Sequence, residues 1–281
     1  MHVDFQQQVI AEFRANSGRV GGPFDGARLL LLTTTGARSG APHTVPLGYL
    51  PDGAHQFLVI GSAGGAPRHP AWFHNLRANP QVTVEDGIFV TDALAVVLEG
   101  ADRDRAFARA VESDPGWAEY EERSGRVLPV VALRSVPGPP RFAGGTAVSG
   151  GAALMRVHDA FRRELALIRA EVAAAGPSVG AQLRVNCLTL CAGLHNHHTG
   201  EDAALFPLLA VQRADLAPVL ERLRVEHERI AELVGQLRDV LADHADPASL
   251  RRAVDRLTDQ LEQHLSYEEE QLVPALDAVL R

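Results

Sequence analysis

The chain has 281 residues, 46% of them hydrophobic, and a formal net charge of −8. That length suffices for two domains with separate cores, and the acidic balance gives no reason to expect nucleic-acid binding. No apolar run approaches membrane-spanning length and the N-terminus lacks a signal-peptide layout, so the expected location is cytoplasmic, with peripheral contact at the inner face of the plasma membrane left open.

Residues 4 to 15 pattern as a short amphipathic helix, with Phe5, Val9 and Phe13 on one face. A glycine-rich stretch from Asn16 to Gly26 ends it, and the period then changes. Ala27 to Thr35 is a continuous apolar and β-branched run, the pattern of a strand buried on both faces. Further strands are predicted at 44–50, 56–61, 81–85 and 87–98, a helix at 103–112 and a last strand at 126–133. Five or six strands with few, short helices predict a small barrel or sandwich over residues 1–136. Residues 137–151, rich in Pro and Gly, read as a linker.

From 152 to 281 the pattern is helical throughout. Four helices are predicted, at about 152–175, 179–209, 216–244 and 248–279, with Asp246 capping the last one and Pro247 at its first position. Short connections favour antiparallel neighbours, hence an up-down four-helix bundle. Cys187 and Cys191, one helical turn apart, read as buried thiols in a reducing compartment rather than as a disulfide framework. All 27 basic residues of the chain are arginine, a composition a GC-rich genome explains, so any anion held by a basic side chain meets a planar guanidinium.

The second half carries one pattern twice. His197 is followed four residues later by Glu201, and His264 by Glu268, and in each copy a proline (Pro207, Pro274) follows the glutamate at the same interval. Residues i and i+4 share a helix face, so each copy presents an imidazole and a carboxylate together. His158 and His227 add one histidine from each of the other two helices. Carboxylates and imidazoles projected inward from facing helices build dinuclear iron or manganese sites, with Glu201 and Glu268 placed to bridge. His198 with Asp202 repeats the spacing one residue out of phase and is the disfavoured register; His195 and His244 read as surface or supporting groups.

Residues 152–281, with the run His-His-x-x-Glu-Asp…Phe-Pro at 197–207, resemble the hemerythrin-type HHE cation-binding family. The resemblance implies a non-haem di-iron site that binds dioxygen or nitric oxide, or handles iron. The full hemerythrin pattern has a second histidine one turn after the third-helix ligand; here that position is Ala231, which implies an open coordination position.

In the first half, Thr33-Thr-Thr-Gly-Ala-Arg-Ser-Gly40 ends a strand in a glycine-rich turn, where free backbone N–H groups beside Arg38 and Ser39 could cradle a phosphate or carboxylate. A second such turn, Gly61-Ser-Ala-Gly-Gly65, would let a flat ring approach the backbone, and Trp72 and Asn75 follow, placed to stack and hydrogen-bond. These segments, together with Gly18–Gly22, Pro46-Leu47, Ala78-Asn-Pro80 and Trp117–Pro129, make residues 16–136 resemble the deazaflavin-dependent nitroreductase family, which uses reduced coenzyme F420 on a split β-barrel. By that resemblance Arg38 and Ser39 hold the cofactor's phosphate or acidic tail, and Pro46, Leu47, Ser62, Ala63, Gly64 and Gly65 line the deazaflavin. Trp72 and Asn75 close the site, and Trp117 and Tyr120 shape the substrate pocket. Tyr120 is the candidate proton donor. Gly48 stands where the family often has an aromatic residue, so a roomier acceptor pocket is expected.

The combined expectation is an F420-dependent reductase of quinone-like or nitro-type electrophiles, fused to a di-iron bundle that senses or reacts with dioxygen or nitric oxide. A homodimer is left open. Two other readings remain: a non-enzymatic sensor or iron-binding protein whose barrel only binds a cofactor, and an FMN-dependent reductase.

Overall fold

The computed structural model describes residues 2–53, 56–138, 141–143, 149–242 and 246–279. The chain divides into two compact units, Met1–Gly145 and Thr146–Arg281. Among the described residues no helix is long and apolar enough to cross a membrane.

In the first unit, helix α1 (His2–Ala15) precedes strands β1 (Leu29–Thr35), β2 (Pro42–Pro51) and β3 (Gln56–Ile60). Helix α2 (Ala71–Ala78), strands β4 (Gln81–Glu85) and β5 (Phe89–Val97), and helices α3 (Gly100–Ser113) and α4 (Gly116–Ser124) follow. Strand β6 (Val130–Ser135) and the two-residue β7 (Arg141–Phe142) complete the unit. The antiparallel order β4-β1-β2-β3-β6-β5 closes on itself through β4–β5 pairing, giving a six-stranded barrel with β7 added on β5. Closure leaves these six strands no open edge.

The leucine run of β1 shows why this strand is continuously apolar. Leu30 and Leu32 point into the barrel with Val59, Val82, Val84, Val131 and Leu133. Leu29 and Leu31 point outward, against Val9, Ile10 and Phe13 of α1, as the two-residue period of a strand requires. On another outer face, Leu58, Ile60, Val130 and Ala132 meet Phe107 and Ala110 of α3. Helix α2 sends Trp72, Phe73 and Leu76 into the barrel's interior cluster. Arg14 of α1 forks onto Glu85 of β4, Nε to Oε2 at 2.9 Å and Nη2 to Oε1 at 2.5 Å.

The second unit is built of α5 (Gly150–Ala174), α6 (Ala181–Gly200), α7 (Phe206–Gln212), α8 (Ala217–Ala242) and α9 (Pro247–Val279). Between α6 and α7 the chain makes one π-helical turn, Glu201–Leu205, in which the Phe206 N–H reaches Glu201 O. Thus α6, the π turn and α7 form one interrupted helix, and the unit is a four-helix bundle. The interruption has a local cause: Pro207 cannot donate a backbone hydrogen bond and its ring crowds the preceding turn. Asp246 caps α9, accepting from the Ser249 N–H at 2.9 Å with Pro247 at the first helical position. Part of the expected linker is ordered differently: Arg141 and Phe142 pair with Val90 and Phe89, and α5 begins at Gly150.

The turn before β5 tests the first unit's tolerance. Gly87 has φ +102°, and a β-carbon there would lie 2.6 Å from Ser17 O and 2.7 Å from Gly18 Cα. Gly87→Ala is expected to destabilise the barrel by at least about 2 kcal/mol. Both tryptophans, Trp72 and Trp117, lie in this unit, so fluorescence-monitored denaturation reads the barrel alone; a midpoint equal to wild type would contradict the strain.

Candidate functional site

Two regions collect the sequence-predicted residues. In the barrel, Arg38 and Ser39 lie in the exposed turn between β1 and β2. The turn is braced by Asn75 of α2, whose Oδ1 accepts the Ala37 N–H at 3.0 Å and whose Nδ2 donates to Thr34 Oγ1 at 3.1 Å. Ser39 Oγ accepts the Ala41 N–H at 3.2 Å. Arg38 makes no hydrogen bond or ion pair among the described residues, so its guanidinium is available for an anion.

Pro46 and Leu47 are half-buried in β2, opposite Leu31 and Leu30 of β1. The turn after β3 is left-handed at three successive residues, with φ 50° at Ala63, 63° at Gly64 and 78° at Gly65. That conformation suits glycine and strains Ala63, as at many ligand-facing turns. Trp117 and Tyr120 lie one turn apart on α4, ring centroids 6.0 Å apart. Arg123 ties them to the turn: its guanidinium lies 4.9 Å above the Tyr120 ring and Nη2 donates to Gly64 O at 2.6 Å. Thus Tyr120 and the 62–65 turn are brought together, as are Arg38, Ser39 and Asn75. Trp72 is not a free stacking surface: it is 6% exposed and edge-on to Phe73 in the barrel core.

In the bundle, seven side chains converge on one polar layer. His158 Nε2 and His264 Nε2 each lie 3.5 Å from Glu268 Oε2. His197 Nε2 lies 3.4 Å from Glu201 Oε1, and His227 Nε2 lies 3.6 Å from Glu201 Oε2. The donor atoms form two groups, His158 with His197, Glu201 and Glu268, and His198 with His227 and His264. His198 is therefore a full member, stacked on His227 with centroids 4.2 Å apart, and the reading that disfavoured its register is corrected. Adjacent residues can both point inward because they serve different groups. Ala231, one turn after His227, is exposed, and a fifth buried imidazole, His198, comes from a different helix. His195 is exposed, and His244 lies outside the described residues.

The layer sits between two apolar clusters. Leu165, Leu194, Ile230, Leu261 and Leu265 lie on one side; Leu154, Phe206, Leu223 and Leu272 lie on the other. Inside it, the Nε2 atoms of all five histidines and all four oxygens of Glu201 and Glu268 are buried without a hydrogen-bond partner. Buried polar atoms are nearly always paired, so such a set calls for a ligand that pairs with all of them. Behind the layer, Nδ1 of His158 donates to Glu269 at 2.8 Å, that of His227 to Asp202 at 3.1 Å and that of His264 to Glu226 at 3.0 Å. A carboxylate on Nδ1 fixes the proton there and turns the Nε2 lone pair inward, as metal-binding histidines require. Nitrogen and carboxylate donors without thiolate suit iron or manganese.

Residues 5–135 match the family model F420H(2)-dependent quinone reductase. The F420H(2)-dependent quinone reductase of Mycobacterium tuberculosis (strain ATCC 25618 / H37Rv) is 39% identical over 127 residues, spanning 44% of this chain and 85% of that protein. The chain belongs to this family. Two solved structures resemble this quinone-reductase-family chain: an F420-H2 dependent reductase (40% identity, 38% of this chain, 94% of that one, TM-score 0.35) and one described as a domain-swapped dimer (36%, 47%, 97%, 0.37). Residues 149–276 match the family model Hemerythrin HHE cation binding domain, so the reductase-family unit is followed by an HHE domain that contains the polar layer.

Electrostatics in the HHE domain follow from burial. Burial first, then neighbouring imidazoles, hold His197 and His198 well below the ordinary histidine range. Burial also lowers His227, against the pull of Asp202, and lowers His264 to about 4, against Glu226. Burial raises both Glu201 and Glu268, with Glu268 adding its charge to the effect on Glu201 and Glu269 adding its charge to that on Glu268. Glu269, despite its burial, is held down to about 2 by His158 and Arg162.

The signs give a pH prediction for the metal-free protein. Histidines depressed below 6.5 take protons in the unfolded chain first, so stability drains as pH falls from about 6.5 through the folded values. Carboxylates raised above 4.5 keep their protons longer when folded, so stability also drains as pH rises above about 4.5 through the raised values. The metal-free bundle is therefore most stable in mild acid and weakens toward pH about 8. Metal binding, which takes the carboxylates ionised, removes the alkaline loss. Circular-dichroism melts from pH about 4 to 9, with and without metal, check this; equal alkaline behaviour of the two forms would contradict it.

Proposed function

We propose that this chain is an F420H2-dependent reductase of quinone-type acceptors, with an HHE domain that holds a pair of iron ions. The reductase half is supported chiefly by family membership, joined to the meeting of Tyr120 and the 62–65 turn through Arg123. Support for the iron half comes from the nine buried donor atoms without partners.

Reduced F420, when bound, supplies a hydride; a quinone takes that hydride and one proton to become a hydroquinone. The residues of the barrel have the remaining tasks. Arg38 and Ser39 hold the cofactor's acidic part from the β1–β2 turn, and Asn75 keeps that turn in place. The backbone of Ser62, Ala63, Gly64 and Gly65, with Pro46 and Leu47, walls the ring and excludes water. Trp72 contributes from the core by fixing α2. Trp117 shapes the acceptor pocket, and the Tyr120 hydroxyl donates a hydrogen bond to the acceptor oxygen and passes it the proton. Nitro-compound reduction would use the same positions.

In the bundle, His158 and His197 would hold one ion and His198, His227 and His264 the other, with Glu201 and Glu268 shared. Non-haem iron of this kind supplies binding of dioxygen or nitric oxide and redox chemistry. The first group offers fewer imidazoles than the second, so an exogenous molecule would meet the ion at His158 and His197. Through that ion the domain would report oxygen, nitric oxide or redox state to the reductase. A cytoplasmic location, with or without a peripheral membrane contact that brings it to a lipid quinone, and a homodimer complete this reading.

Purified protein mixed with F420H2 and a soluble quinone should oxidise the cofactor and form hydroquinone in equal amounts. Tyr120→Phe should lower kcat by about 10²-fold with F420 affinity unchanged. Turnover with reduced FMN and none with F420H2 would overturn the cofactor assignment. Removing iron should change the rate; an identical rate would overturn the sensing role.

A further inference from the structure

Arg126 lies between α4 and β6 and is half-buried. Its guanidinium collects the loop that follows β3. Nε donates to Ala66 O at 3.2 Å, and Nη2 reaches Gly61 O at 2.8 Å, Ser62 O at 3.1 Å and Arg68 O at 3.3 Å. Nη1 lies 3.0 Å from His69 Nδ1. Backbone carbonyls outside the strand and helix ladders still need partners, and here one planar fork serves those of Gly61, Ala66 and Arg68 and adds a second bond to Ser62 O, which already accepts the Gly65 N–H at 3.0 Å. A lysine, with a compact ammonium and three donors, could not span the set.

The contact with His69 also has a direction. A guanidinium only donates, so His69 Nδ1 must accept and the ring proton sits on Nε2. The groups facing that ring are Phe73 at 4.9 Å and His74 at 6.0 Å between centroids, with Arg126 and Arg77 nearby. None of these is a carboxylate, and burial together with the cations lowers the His69 pKa. The imidazole is therefore neutral at neutral pH.

We propose that Arg126 is the positioning residue of the 61–69 loop, and that it holds His69 as a neutral Nε2–H donor for a carbonyl or anionic oxygen of the ligand bound beside that loop. The ligand part rests on the reading of the 62–65 turn as a wall of the F420 site; the tautomer part does not. Neither residue is among the predicted site residues; Arg126 lies within the Trp117–Pro129 stretch that carries the resemblance.

The test uses the full-length chain labelled with ¹⁵N-histidine, with His69 assigned from the spectrum of His69→Gln. Wild-type His69 should show a bare Nδ1 and a protonated Nε2, in the absence of cofactor. Arg126→Gln should weaken F420 binding on the order of tenfold, keep the barrel's melting transition, and regain affinity when guanidinium ion is added. Arg126→Lys should not regain it. A His69 protonated on Nδ1, or an Arg126→Gln protein that binds F420 as wild type does, overturns the proposal. If Arg126→Gln does not fold, the wild-type tautomer decides. Wild-type protein that fails to bind F420 at all overturns the ligand part together with the F420 reading, while the ¹⁵N spectrum still decides the Arg126–His69 contact.

Discussion

Nine polar atoms facing one another without partners, sealed between two leucine-rich clusters, are the constraint on which the bundle depends. Each unpaired buried polar group costs about 1–3 kcal/mol, and two neighbouring carboxylates resist ionising together. An apolar core continued through this layer would be more stable. The layer is tolerated because the clusters above and below it carry the folding, and because the atoms are arranged as a receptacle. The other features of the bundle serve that arrangement. The π turn begins at Glu201 itself, where the helix changes register before Pro207. Arg162 and Arg222 fix the carboxylates that in turn fix His158 and His264, so the orientation of the inner ring is set from the surface inward.

The barrel solves a related problem with opposite means. Its strands satisfy their own backbone groups by closing, but the loop after β3 leaves carbonyls and a left-handed turn exposed to one side. Arg123 and Arg126 take up those carbonyls and bind α4 to the turn. In a chain whose only strong cations are arginines, forked donors hold both the loop after β3 in one unit and the outer shell of the other. In both units rigid guanidinium forks keep neighbouring polar groups from collapsing onto one another.

Much of this was legible in the sequence, for physical reasons. The leucine run of β1 had to be buried on both faces, and the paired His-x-x-x-Glu repeats had to share helix faces, so the barrel, the bundle and six of the seven layer residues could be read from periodicity and resemblance. His198 was not, because a single-face helical reading admits one of two adjacent histidines, whereas two donor groups admit both. Nor does the position of Ala231 reveal that a fifth imidazole comes from another helix. The short helices α2 and α4 have too few turns to show a period, so the burial of Trp72 and the grip of Arg123 on the 62–65 turn appeared only in three dimensions. The two residues of β7 pair within a stretch whose composition reads as linker.

The central claim is that the buried layer is a two-metal site built by five histidines and two glutamates, and metal content tests it most directly. Protein supplied with iron during expression should carry about two ions per chain, matching the two donor groups, and His198→Ala should lose about one of them while His195→Ala, altered on the exposed side of the same helix, loses none. A wild-type chain that retains no metal, or an H198A chain that retains as much as wild type, would contradict the site.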